Sequence, residues 1–150
     1  MKNSLIKLIN KLLGRVTSAS TDELDPNNYD YKEYYANGQL KRVKPIVNGK
    51  RHGIWKEYNE TGKLTREITY DKGKINGIQK WYYETGKLRR EALYKNGKKH
   101  GIWKEYYETG ELEREAKYNH DEQHGITRLY YKNGQLSKEE IWFNDYPQLW

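Results

Sequence analysis

Histidine is the residue type whose spacing comes nearest to a metal site. His52, His100 and His124 occupy one column of a repeating pattern, and Asn76 takes the same column in another copy. If each copy forms a hairpin, neighbouring copies lie two strands apart, roughly 10 Å. Ligands of one zinc ion lie about 2 Å from it, and His120 adds no third ligand at a suitable spacing. We therefore predict loop histidines, no metal site and no cofactor.

Carboxylates are the second group that could do chemistry, as general acids and bases. Glu57, Glu67 and Glu105 are each predicted to face a cation across a strand pair. A facing cation lowers the pKa of a carboxylate, which does not suit a general acid. The hydroxyl side chains have no base placed beside them, and the glycines recur between strands instead of opening a helix around a phosphate. We expect no enzymatic activity and no small-molecule substrate.

Basic and aromatic residues are interleaved throughout the chain, which carries a net charge of +7 with 15 Tyr and 5 Trp. This pattern is typical of surfaces that bind single-stranded nucleic acid. Because most strand cations have a facing acid, the free positive charge is predicted to concentrate in the basic loops. Candidate contacts for an anionic partner are Lys50, Arg51, Lys98 and Lys99.

These side chains belong to a sequence pattern that repeats every 24 residues. Self-similarity of this kind indicates a repeat architecture, in which each unit buries its apolar groups against its neighbours. One glycine, one leucine and one tyrosine column keep the period: Gly38, Gly62, Gly86, Gly110, Gly134; Leu40, Leu64, Leu88, Leu112, Leu136; Tyr34, Tyr58, Tyr82, Tyr106, Tyr130.

The composition of the 150 residues favours a thin, ordered structure. With 35% hydrophobic and 33% charged residues, and a mean hydropathy of −1.22, the chain is too polar for a thick core. Its 14% aromatic content is too high for disorder. Cysteine is absent, which excludes disulfides and thiol chemistry. No apolar run is long enough to cross a bilayer, so we expect a cytoplasmic protein, with association at a membrane surface left open.

Each unit contains two runs of β-forming residues separated by Thr61-Gly62 or, in the first unit, Asn37-Gly38. This pair predicts a two-residue hairpin loop with both residues at positive φ. Asn59 then opposes Leu64, and opposite charges face each other at many rungs. The seven predicted pairs are Glu33–Arg42, Glu57–Arg66, Glu105–Arg114, Lys56–Glu67, Lys80–Glu91, Lys104–Glu115 and Arg128–Glu139.

Charged and apolar residues are mixed on both faces of the predicted sheet, whereas a sandwich needs one face nearly free of charge. We therefore predict an all-β repeat fold, a single-layer antiparallel β-meander of 24-residue hairpin units with about ten short strands. The array spans residues 29–150 in about five units.

The N-terminal residues differ from the repeats. Residues 1–16 are predicted to contain a basic amphipathic helix over residues 3–14, followed by a linker over residues 17–28. The helix could cap the array, lie on a membrane surface or dock a partner. Its candidate apolar contacts are Leu5, Ile9, Leu12 and Leu13.

The segments 82–88 and 94–107, Tyr-Tyr-Glu-Thr-Gly-Lys-Leu and Tyr-Lys-Asn-Gly-Lys-Lys-His-Gly-Ile-Trp-Lys-Glu-Tyr-Tyr, resemble the MORN-variant repeat. The resemblance covers residues 29–145. Bacterial proteins built from this repeat are commonly classed as antitoxin components of toxin–antitoxin modules. The resemblance implies a β-sheet array that binds partners without catalysis. The eukaryotic form of the repeat, linked to membranes and protein assembly, lacks the Asn-Gly-Lys-x-His-Gly segment found here.

The sequence and the resemblance together predict a non-enzymatic protein of the antitoxin or immunity type, which neutralises a toxin or effector by binding it. A membrane-surface scaffold is the first alternative and a single-stranded nucleic-acid binder the second. Because Trp and Tyr dominate interface energetics, the candidate anchors for a protein partner are Trp55, Trp81, Trp103, Tyr83, Tyr107 and Tyr131.

Overall fold

The computed structural model describes residues 26–148 and contains one antiparallel sheet over that range, without helices. The predicted helix within residues 1–16, with Leu5, Ile9, Leu12 and Leu13, and most of the linker lie outside the described residues. Strands follow one another as a meander, as predicted. They are β1 (Tyr29–Tyr34), β2 (Leu40–Val47), β3 (Lys50–Arg51), β4 (Gly53–Tyr58), β5 (Leu64–Asp71), β6 (Lys74–Tyr82), β7 (Leu88–Lys95), β8 (Lys98–Tyr106), β9 (Leu112–Asn119), β10 (Glu122–Gln123), β11 (Gly125–Tyr130), β12 (Leu136–Phe143) and β13 (Tyr146–Pro147).

The predicted register is confirmed at all seven charged rungs. Several rungs also form ion pairs, such as Arg128 Nε to Glu139 Oε2 at 2.8 Å and Lys56 Nζ to Glu67 Oε1 at 3.5 Å. Exposed pairs of this kind stabilise a sheet by only about 0.2–1 kcal/mol each. Their main effect is to disfavour a one-residue slip, which would move every side chain to the other face.

The loops that join β4 to β5 and their equivalents differ from the prediction. Gly62 N–H donates to Asn59 O, and Asn59 N–H donates to Lys63 O, which closes a three-residue loop with only its last residue, Gly62, at positive φ. This is the three-residue hairpin with a glycine bulge. As a result Tyr58, not Asn59, opposes Leu64, and Leu64 shares a face with Tyr58.

Two-residue loops with both residues at positive φ lie instead at the opposite margin of the sheet. Lys98 and Lys99 were predicted to lie in a basic loop, but only Asn96-Gly97 form the turn, and Lys98 and Lys99 already belong to β8. Lys50 and Arg51 likewise form β3. The turns are Asn48-Gly49, Lys72-Gly73, Asn96-Gly97, His120-Asp121 and Asn144-Asp145.

Consecutive turns are hydrogen-bonded to one another along both margins. At one margin, the N–H of Gly97 donates to Ile75 O at 2.7 Å, and the N–H of Gly73 donates to Arg51 O at 2.7 Å. At the other, the hydroxyl of Tyr83 donates to Tyr106 O at 2.7 Å. These bonds join residues about one unit apart, so each unit is held by its neighbours.

The two faces of the sheet differ in burial. The face that carries Trp55, Trp81 and Trp103, here named the aromatic face, holds the buried apolar residues. The opposite face, named the aliphatic face, carries Ile54 and its repeats. Because a single layer has no second sheet to cover it, long side chains on the aromatic face lie over their small neighbours. The buried apolar residues are Ile68, Tyr70, Ala92, Trp103 and Ala116.

Candidate functional site

The predicted tryptophan anchors lie on the aromatic face and pack on one another. Trp103 exposes 9% of its surface, because Ala92 and Ala116 oppose it on the flanking strands and leave room for its ring. Its ring centroid is 6.0 Å from that of Trp81 and 5.7 Å from that of Tyr118. Trp55 stacks on Tyr70 at 5.5 Å in the same way. These rings therefore supply the core of the sheet, and a partner contact for them stays a prediction.

Cations lie over the faces of these rings. The Arg90 guanidinium lies 4.8 Å from the Trp103 ring centroid and donates to Glu105, with Nε to Oε1 at 2.9 Å. Lys99, one of the predicted anion-binding residues, places Nζ 4.9 Å from the Trp103 centroid. Cation–π contacts are worth about 0.5–1 kcal/mol at exposed sites. The charges of this face are therefore largely engaged within the sheet.

The remaining basic candidates divide into two kinds. Arg51 lies 4.5 Å from the Tyr70 ring centroid and donates from Nη1 to the Tyr70 hydroxyl at 3.1 Å. Lys50 and Lys98 are exposed at the margin of the sheet. Thus the structure brings Arg51 and Lys99 onto aromatic rings instead of gathering the four cations into one anion-binding cluster. Their role toward an anionic partner stays a prediction.

The predicted tyrosine anchors lie at the loop margin, where two of them join successive units. Tyr83 donates to Tyr106 O, and Tyr107 donates to Tyr130 O at 2.8 Å. Tyr131 occupies the same column in the last described unit and is 56% exposed. The hydroxyls of Tyr83 and Tyr107 therefore each join two units by a hydrogen bond, a structural task that Tyr131 lacks within the described residues.

Replacing Tyr83 with Phe is expected to lower the free energy of unfolding by about 1 kcal/mol, because the partly buried carbonyl of Tyr106 loses its donor. The matched control is Tyr131→Phe, which removes a hydroxyl without an intramolecular acceptor among the described residues. Urea unfolding followed by circular dichroism measures both. Equal effects of the two substitutions would contradict the structural task assigned to Tyr83.

The aliphatic face carries a row of exposed apolar side chains, here named the aliphatic row, which polar residues interrupt at two positions. The row crosses the eight strands β4 to β9, β11 and β12. Ile78 lies opposite Leu93, and Ile126 lies opposite Ile141, whereas Thr69 and Lys117 occupy the two positions that are not apolar. Exposed apolar patches of this extent mark interaction sites. The exposed fractions are Ile54 48%, Ile78 49%, Leu93 39%, Ile102 45%, Ile126 41% and Ile141 37%.

A row of alternating charge, here named the charge row, runs beside the aliphatic row on the same face. Each of its members lies opposite a residue of opposite sign on both neighbouring strands, except at the ends of the row. The four cations and four acids balance, so the row has no net charge. Its members, from β4 to β12, are Lys56, Glu67, Lys80, Glu91, Lys104, Glu115, Arg128 and Glu139.

Two tyrosine hydroxyls are bonded to acids of the charge row. Tyr106 donates to Glu91 Oε1 at 2.9 Å, and Tyr82 donates to Glu67 Oε2 at 2.7 Å. Burial, and then the hydrogen bond to Glu91, raise the pKa of Tyr106 from 10.0 to about 12. Burial and the bond to Glu67 raise the pKa of Tyr82 in the same direction. Both phenols are therefore held in their protonated form by the fold.

These raised pKa values predict a loss of stability in alkaline solution. The unfolded chain releases the two phenolic protons near pH 10, whereas the folded chain keeps them to higher pH, so stability falls between about pH 10 and pH 12. Below pH 10 their contribution is fully present. Thermal unfolding across this range should show a shallower decline for Tyr106→Phe than for the control Tyr131→Phe. Identical pH dependence in the two variants would rule out the assigned protonation.

The histidine column is dispersed along the margin. His52 Nδ1 lies 3.3 Å from Asp71 Oδ1, His124 packs on the Phe143 ring at 5.3 Å, and the ring centroids of His100 and His120 are 5.6 Å apart. Within residues 26–148, no group of three or more His, Asp or Glu side chains is placed to hold a metal ion. Over the same residues, no helix has the length and apolarity needed to span a membrane.

The candidate anchors predicted from the sequence do not include Ile54 and its repeats. A signal was present in the sequence, since Ile54, Ile78, Ile102 and Ile126 keep the 24-residue period without a change of residue type. The columns of Trp55 and Tyr83 vary more. The sequence alone does not show how much of the side chains in the Ile54 column and in the Trp55 column is exposed.

The family model described as MORN repeat variant matches five segments, residues 30–48, 51–72, 75–96, 99–120 and 123–144. The chain matches no protein of curated function. Seventeen chains of solved structures are similar to it. One is the crystal structure of TarM, which is 15% identical over 97% of this chain and has a TM-score of 0.44. The chain spans only 23% of that chain, and a similarity at this level supports no argument about function.

Proposed function

The chain belongs to the MORN repeat variant family, and from this premise we propose that it is a non-enzymatic scaffold that holds a protein partner. The observation that supports the proposal is the aliphatic row, six exposed aliphatic side chains aligned across the sheet. Aligned apolar groups on a rigid sheet remove water from a partner without ordering a loop, which reduces the entropic cost of binding.

The biological setting we propose is neutralisation of a toxin or effector by binding, as in antitoxin or immunity proteins. Its support is the resemblance of the repeats to those of antitoxin components. A flat binding surface suits this task, because it can cover an active site or an interface of the toxin without any chemistry of its own.

The charge row favours a protein partner over a membrane. Each unpaired Lys or Arg near an anionic lipid surface adds about 1 kcal/mol to the free energy of membrane binding. In this row, each cation from Lys56 to Arg128 faces an acid on at least one neighbouring strand. Alternating charges instead match a protein surface that presents the complementary pattern. We expect no flotation of the chain with anionic vesicles. Flotation that depends on residues 1–20 would favour the membrane-surface alternative.

Capture from a lysate of the native host tests the proposal. The full chain is immobilised, and the retained proteins are identified by mass spectrometry at moderate salt, where simple charge attraction is screened. We expect Ile102→Asp to reduce capture of the partner at least tenfold, because a desolvated carboxylate would replace an apolar contact. The matched control is Tyr31→Asp, since Tyr31 is 45% exposed, as Ile102 is, but lies on β1 on the aromatic face.

Two further results decide between the parts of the proposal. Equal capture by Ile102→Asp and Tyr31→Asp would overturn the aliphatic row as the contact surface. The captured protein should also inhibit growth when it is expressed alone, and co-expression of the chain should relieve the inhibition. A partner without such an effect would overturn the antitoxin setting while the binding function stands.

A further inference from the structure

We propose that the aliphatic row also receives a second copy of this chain, docked face to face about a two-fold axis that runs parallel to the strands, between β7 and β8. The inference deepens the proposed function, on which it rests for its contact surface, by naming one protein partner of that surface. Two-fold dimers are the commonest oligomers, and their interfaces must be complementary to themselves. The charge row meets that condition along its whole length, and the aliphatic row meets it at its centre and its two ends.

The charge row is self-complementary about such an axis. Cations and acids alternate from strand to strand, so an axis between two neighbouring strands places each cation opposite an acid of the second copy. With the axis between β7 and β8, Glu91 faces Lys104 of the second copy, and Lys80 faces Glu115. The outer strands continue the rule, with Glu67 facing Arg128 and Lys56 facing Glu139. An axis centred on a strand would place like charges together.

The aliphatic row is centred at the same point. Its eight strands extend from Ile54 on β4 to Ile141 on β12, and their midpoint lies between β7 and β8. About this axis Leu93 faces Ile102 of the second copy, and Ile54 faces Ile141, while Ile126 faces Thr69 and Ile78 faces Lys117. One axis therefore pairs opposite charges along the charge row and brings apolar side chains together at the centre and the two ends of the aliphatic row.

Geometry and size are also consistent with a stable interface. Adjacent strands of a sheet rotate in one direction, and a two-fold axis parallel to the central strands keeps the facing strands of the two sheets aligned. Eight strands spaced about 4.8 Å apart, over about six residues of strand length, give roughly 700 Å² per copy. A standard stable interface buries about 800 Å² per partner.

The oligomeric state of the full, purified chain tests the proposal. Sedimentation equilibrium should give twice the monomer mass of 18.0 kDa. Ile102→Asp should raise the dissociation constant at least tenfold, whereas Tyr31→Asp, on the aromatic face of β1, should leave it unchanged. Circular dichroism of both variants verifies that they are folded. A wild-type chain that stays monomeric at millimolar concentration, or equal effects of the two variants, would overturn the proposal.

The position of the axis has its own test, because the chain contains no cysteine. Leu93 lies one strand spacing from its own copy across the axis, about 5 Å sideways, whereas Ile54 lies seven spacings from its copy, about 34 Å. A short bis-maleimide should therefore cross-link Leu93→Cys into dimers and leave Ile54→Cys monomeric. Cross-linking of Ile54→Cys alone, or of both variants equally, would overturn the assigned axis.

The same measurements distinguish a second copy from two other occupants of the row, which are residues 1–20 of this chain and a different protein. If the full chain is monomeric and dimerises only after deletion of residues 1–20, those residues occupy the row and the proposal is wrong. A monomer that still captures a partner through Ile102 overturns the dimer but leaves the proposed function intact. A dimer that captures no other protein leaves the dimer intact and overturns the proposed function for every partner except the second copy, so the two proposals fail separately.

Discussion

Replacement of Trp103 by Ala is expected to lower the free energy of unfolding by about 3 to 5 kcal/mol. The indole exposes 9% of its surface and contacts Trp81 and Tyr118. Its loss leaves a cavity that Ala92 and Ala116 are too small to fill, and it removes the ring over which Arg90 and Lys99 lie. Guanidinium unfolding followed by far-ultraviolet circular dichroism measures the change.

The matched control is Tyr131→Ala, in which an aromatic ring that is 56% exposed is removed. We expect a change well below that of Trp103→Ala. Because units contact only their neighbours, the loss at Trp103 should also be local: amide exchange should accelerate in β7, β8 and β9 and remain unchanged in β1. Uniform acceleration along the whole sheet would contradict this picture and indicate a single cooperative unit.

Replacement of Gly77 by Ala is expected to cost about 3 kcal/mol of stability, from a strained backbone and a steric clash together. Gly77 has a φ of +116°, which side chains rarely adopt. A Cβ at this position would also lie 3.0 Å from Thr69 Cγ2 and 3.1 Å from Thr69 Cβ. Thr69 cannot easily turn away, because its hydroxyl donates to Ile78 O at 2.8 Å.

Gly110→Ala is the matched control for the backbone strain. Gly110 has a φ of +114°, and a Cβ there would meet nothing within 4 Å. We expect a cost of about 1–2 kcal/mol from the conformation alone. Urea unfolding of the two variants separates the two contributions. If Gly77→Ala costs no more than Gly110→Ala, the strand containing Thr69 moves aside and the clash is absent.

The regular part of the fold could be predicted because its causes are local in the sequence. Alternation along strands and the sign of charge at facing rungs fix the register, so pairs such as Lys104–Glu115 were identified correctly. The loop type was not, because an Asn-Gly pair occurs in loops of both types. Asn37-Gly38 lies in a three-residue loop in which only Gly38 has a positive φ. Asn48-Gly49 forms a two-residue turn with both residues at positive φ, a conformation that asparagine tolerates.

The candidate site was less predictable, because exposure depends on neighbours that lie one strand away. Trp103 and Ile102 are adjacent in the chain and both apolar, yet one is 9% and the other 45% exposed. The difference arises from Ala92 and Ala116, whose small side chains let the indole lie down on the aromatic face. Alternation alone assigns the two residues to opposite faces without saying which face is covered.

The hydrogen bonds that join consecutive turns along both margins restrict how the gene can change in length. Gain or loss of a full 24-residue copy returns every remaining turn to a partner of the same kind and preserves the order of charges from strand to strand. Gain or loss of half a copy would bring loops of different type side by side and set like charges together. Tandem duplication in whole copies is thus the route by which a scaffold of this kind can become longer without being redesigned.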